Sequence, residues 1–71
     1  MAPKLTVEEI IEDLQAIEPI ILDYEKKYQL LSPYFFTLYQ AGMLEEHKDF
    51  LRWAALYQTK LDRENQYLSY R

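Results

Sequence analysis

Few residues in this chain have types and spacings that could do chemistry. Carboxylates stand one helical turn apart at Glu8/Glu12, Glu9/Asp13 and Glu45/Asp49. General acid–base work needs such a pair held in a cleft that perturbs its proton affinity. On a charged helix the simpler reading is a solvated face, and it is preferred. His47, the only histidine, lies beside Glu46 and Asp49. It could ligate a metal or act as a base, but its position reads first as a solvated helix start. No serine has a histidine and an acid at nucleophile spacing, and no glycine-rich loop could cradle a phosphate. Cysteine is absent, which removes disulfides, thiolate catalysis and cysteine-ligated metal together. The expectation is therefore a non-enzyme with no catalytic residue, metal or cofactor.

Charge narrows the partners. Residues 1–25 carry one lysine against seven carboxylates, a balance of −6, while residues 26–71 carry seven basic and five acidic groups, a balance of +2. The acidic half repels phosphate backbones, and no dense basic stripe offsets it, so the lone chain is not expected to bind nucleic acid. A membrane helix needs about 20 apolar residues in succession, and nothing approaches that. Met1-Ala2-Pro3-Lys4 leads directly into an acidic amphipathic segment, unlike a secretory signal. Zero cysteine agrees with a reducing cytoplasm, the expected location.

Three helices are needed to position these residues. Val7, Ile10, Leu14, Ile17, Ile21, Tyr24, Tyr28 and Leu31 step by alternating three and four residues, a heptad seam. Thr6 with Glu9 makes a capping box at its start. Pro19 falls at heptad position f, diametrically outward, so one kinked helix over roughly 7–30 is expected despite it. Ser32-Pro33 reads as N-cap and first residue of a short helix that stops at Gly42, with Phe35, Leu38 and Tyr39 on one face. A last helix begins in Glu45–Asp49 and carries Phe50, Trp53, Ala54, Tyr57, Leu61 and Leu68 as its stripe. Beyond Leu61 the stripe thins. The fold class is all-α: a long kinked helix, a short helix and a long helix, forming a helical hairpin or small bundle that self-associates. All 71 residues make one domain, with 1–5 and 69–71 frayed.

A chain this short buries only about 60% of its unfolded surface. With disulfides and metals removed, partner chains are the remaining source of stability. Seven tyrosines, three phenylalanines and one tryptophan are more than so small a core can hold. Trp53, Phe50 and Phe35 are the best core candidates. Tyrosine suits interfaces because it joins apolar area to a wet tip. The candidate interface is therefore Ile10, Leu14, Ile17, Ile21, Tyr24, Tyr28, Tyr39, Tyr57 and Tyr67, each of the tyrosines being core or interface.

The middle of the chain resembles a known family. Glu25-Lys26-Lys27-Tyr28, then Ser32-Pro33-Tyr34-Phe35, then Gln40-Ala41-Gly42-Met43-Leu44, then Asp49-Phe50-Leu51-Arg52-Trp53-Ala54-Ala55-Leu56-Tyr57 follow the pattern of small helical prokaryotic proteins, notably cyanobacterial ones. Many of these look like antitoxin components encoded beside a toxin gene. The resemblance covers residues 25–57 and implies a fold more plainly than a site. The family's usual Tyr-Gly step is Tyr28-Gln29 in this chain, which implies a first helix that runs on without its cap. What the resemblance implies of function is neutralisation of a partner protein, a basic toxin in this reading, by covering it. The alternative is a self-associating structural or adaptor protein with no toxin partner.

Overall fold

The computed structural model describes residues 5–70. Expectations about residues 1–4 and Arg71 lie outside the described residues. Three helices follow in order: α1 (Val7–Tyr28), α2 (Ser32–Gln40) and α3 (Lys48–Ser69), with no strand among the described residues. α1 and α3 form an antiparallel hairpin, and α2 packs against α3 at the hairpin's closed end.

α1 starts as its residues dictate. The Thr6 hydroxyl accepts from the Glu9 amide at 3.1 Å, and the Glu9 carboxylate accepts from the Thr6 amide at 3.0 Å. The helix continues through Pro19, which is exposed, as is Gln15 one turn before it. The hydrogen bond that proline removes is thus lost on the solvent side, where water replaces it.

The end of α1 departs from expectation. The helix does not run on past Tyr28. Gln29 itself takes the left-handed conformation, with φ 51°, and the Leu30 amide closes back on the Glu25 carbonyl at 3.2 Å. That six-to-one bond is the Schellman closure that glycine usually makes. The Gln29 side chain donates to the Lys26 carbonyl at 2.8 Å, satisfying a carbonyl the helix end leaves open. Gly42, φ 71°, closes α2 in the same way, with the Met43 amide on the Leu38 carbonyl at 3.0 Å.

Ser32 is not the N-cap of α2. Leu31 takes that position without a side-chain bond, and Ser32 is the first helical residue. Its amide donates to the Glu25 carboxylate at 2.7 Å, and its buried hydroxyl accepts from the Trp53 indole nitrogen at 2.9 Å. Glu25 therefore ends α1 with its carbonyl and caps α2 with its side chain. The serine hydroxyl is directed inward because a fully buried indole N–H needs a partner.

Trp53 organises the core. It is wholly buried and lies parallel to the wholly buried Phe35, ring centroids 3.7 Å apart. Tyr24 and Tyr28, one turn apart on α1, stack near-parallel to the indole at 5.6 and 5.9 Å. Phe50 is half-buried and meets Tyr28 edge-on at 5.1 Å. Ile17, Ile21 and Ala54 complete the buried cluster.

α3 runs to Ser69, and the Tyr70 hydroxyl donates to the Leu5 carbonyl, tying the two ends of the hairpin.

Candidate functional site

The nine candidate interface residues separate into two groups. Ile10, Ile17 and Ile21 are 0%, 8% and 3% exposed, so these three positions of the heptad seam are buried within the chain. Association of chains through that seam requires the hairpin to open. Tyr24 and Tyr28 stack on Trp53, Tyr39 packs on Phe35 at 5.8 Å, and Tyr57 meets Phe36 edge-on at 5.2 Å. These four tyrosines are half-buried parts of the core. Half-buried Leu14 and exposed Tyr67 lie outside that core cluster, and the fold brings them together.

They meet in a furrow of about 510 Å³ between α1 and α3 at the open end of the hairpin, lined by Leu14, Leu61, Glu64, Asn65, Tyr67 and Leu68. Further toward the closed end lies a smaller depression of about 230 Å³ lined by Glu18, Ile21, Leu22, Glu25 and Lys60. Leu22 and Leu68 are more than half exposed. Asp13 and Arg63 bridge the two helices at this end, 2.8 Å apart, with both side chains partly exposed. A pair of that kind contributes about 0–1 kcal/mol and does little more than set the helix spacing.

On the α3 side of this furrow, sequence reasoning singled out Tyr67 alone. Leu61 and Leu68 read as core stripe and Glu64 as off-stripe. The thinning of the stripe beyond Leu61 was the available signal: α3 keeps apolar residues there after α1 has too few to cover them.

The most perturbed titratable group lies at the closed end. The Asp49 carboxylate accepts from the Lys27 ammonium at 2.8 Å and from the Tyr28 hydroxyl at 2.6 Å. Those two bonds, Lys27 first, hold Asp49 at about 2, below its ordinary 3.8. The same contact raises Lys27 and the Tyr28 phenol above their ordinary values. Asp49 was expected to suit the positive end of α3, and it does sit in the first turn. Its side chain also ties α1 to α3. A carboxylate held this low is a poor general base at neutral pH, so the geometry makes Asp49 a strut. His47 is exposed and is the N-cap of α3, its Nδ1 accepting from the Asp49 amide at 3.0 Å.

Every buried side-chain polar atom among the described residues has a hydrogen-bond partner. No group of three or more histidine and carboxylate side chains is placed to hold a metal ion among the described residues. No helix among them is long and apolar enough to cross a membrane. No family model, curated protein or solved structure matches this chain.

Proposed function

We propose that this chain is a non-catalytic protein-binding module that acts as an antitoxin does, neutralising a basic partner protein in the cytoplasm by covering it. The observation that carries the reading is an acidic hairpin with its buried side-chain polar atoms satisfied internally and six large apolar side chains left outside. Leu22, Leu31, Tyr34, Met43, Leu51 and Leu68 are each more than half exposed. A core of this size cannot absorb them, and an apolar surface rimmed by polar residues is the ordinary mark of a protein contact. The resemblance of residues 25–57 to small antitoxin-like proteins points the same way. Neutralisation in this reading is steric and electrostatic, and needs no chemistry from His47 or Asp49.

The test is co-expression with the product of the adjacent reading frame. A neighbour whose overproduction arrests growth, with growth restored by this chain, is the expected result. A toxic neighbour that this chain leaves toxic contradicts the reading, and so does a neighbour with no effect on growth.

A further inference from the structure

We infer that the furrow between α1 and α3 at the open end of the hairpin is the docking site for a basic amphipathic helix of the partner. This rests on the protein-binding reading above and adds the place and the chemistry. The furrow floor is apolar, made by Leu14, Leu61 and Leu68, and Glu64 stands in its wall. The surroundings are strongly acidic. Residues 5–18 and 60–70 hold seven carboxylates against Lys60 and Arg63, a balance of −5, whereas residues 19–59 hold five carboxylates against four cations, a balance of −1. This apolar furrow thus lies in the more negative part of the described residues.

Charge decides between occupants. A second copy meeting this one through the same furrow would set −5 against −5 across a two-fold interface, which like-charge repulsion opposes. An apolar ridge flanked by Lys or Arg satisfies both the floor and the rim. Geometry favours a helix. Leu14 of the furrow and Glu18 and Leu22 of the neighbouring depression, which Lys60 also lines, occupy successive turns of α1 over roughly 12 Å. That length matches side chains at i, i+3 or i+4, and i+7 of a helix laid in a groove.

The test uses a fluorescent peptide of about 18 residues, with leucine at helical spacing and lysine elsewhere, and a second peptide with glutamate replacing lysine. Fluorescence anisotropy is expected to detect binding of the lysine peptide only. Leu68→Arg and Glu64→Lys are each expected to weaken it about tenfold or more, while Gln40→Arg, on an exposed position of α2 at the closed end, leaves it unchanged. Both furrow positions are exposed, and circular dichroism confirms that each variant folds; Glu64→Gln stands in, with a smaller expected loss, should either fail. The proposal is overturned if the lysine peptide does not bind, or if Gln40→Arg weakens it as much as the furrow variants. A wild-type dimer in sedimentation that Leu68→Arg dissociates would also overturn it, by placing a second copy in the furrow. In the growth experiment, rescue that survives Leu68→Arg and Glu64→Lys overturns this site and leaves the functional reading standing. Lack of rescue by the wild-type chain, with the peptide still bound as expected, removes the functional reading and leaves the furrow's chemistry standing.

Discussion

Gln29 holds a backbone conformation that costs a non-glycine residue about 1 kcal/mol or more, with φ at 51°. Its amide bond to the Lys26 carbonyl recovers part of that in an exposed position. Gln29→Gly is accordingly expected to stabilise the chain by up to about 1 kcal/mol, read as a rise in the denaturation midpoint. An unchanged or lowered midpoint would mean that the side-chain bond outweighs the backbone strain. Ser32 makes the opposite case. Ser32→Ala leaves the buried Trp53 N–H without its partner and should destabilise by about 1–3 kcal/mol, more than an alanine on an exposed helix face costs. Asp49 supplies a pH dependence. Its folded-state value is depressed from 3.8 to about 2, so the stability it brings is present above its ordinary value and disappears as pH falls through the folded one. Comparing Asp49→Asn with the wild type isolates this group from the other carboxylates. The gap between their melting temperatures should narrow as pH is lowered from about 5 to about 2; a constant gap would show that the carboxylate charge is not what ties the helices.

At the scale of the elements, Trp53 is the centre of three packed helices, and Trp53→Ala should cost about 3–5 kcal/mol. Ile17→Asp and Ile21→Asp should unfold the chain, because both side chains are buried against that cluster. A folded, unassociated variant would place the two isoleucines at a surface. The helices themselves were legible in the sequence. The capping box at Thr6 and Glu9, the unbroken seam through outward-facing Pro19, and Gly42 each name a boundary by a local physical rule, and the fold obeys them. Two boundaries were misread for one reason. Gln29 and Ser32 look like a helix interior and a helix cap when judged by residue type alone. Their roles are set by tertiary partners: the tight turn that returns the chain onto α3, and an indole N–H arriving from a residue 21 positions away. Part of the seam packs inside the chain for a related reason. An a/d pattern states which face of α1 is apolar, and α3 of the same chain covers that face before a second chain can. The furrow was the least legible feature, since it arises where two stripes fail to match in length, and neither stripe alone reveals this.

For the whole molecule, asymmetry is the main property. The closed end carries the aromatic core, the Asp49 strut and a nearly neutral charge, while the open end carries seven of the described carboxylates and the apolar furrow. Under the proposed function, stability and binding belong to opposite ends of one hairpin, so furrow variants should alter partner affinity with little effect on folding. Leu68→Arg, on an exposed side chain, is expected to shift the thermal midpoint far less than Trp53→Ala does. The most direct test is calorimetric titration of the purified chain with the product of the adjacent reading frame at low and at physiological salt. The account predicts stoichiometric binding that weakens as salt is raised, because an acidic surface meets a basic one. No binding at micromolar concentrations, or binding indifferent to salt, would contradict it.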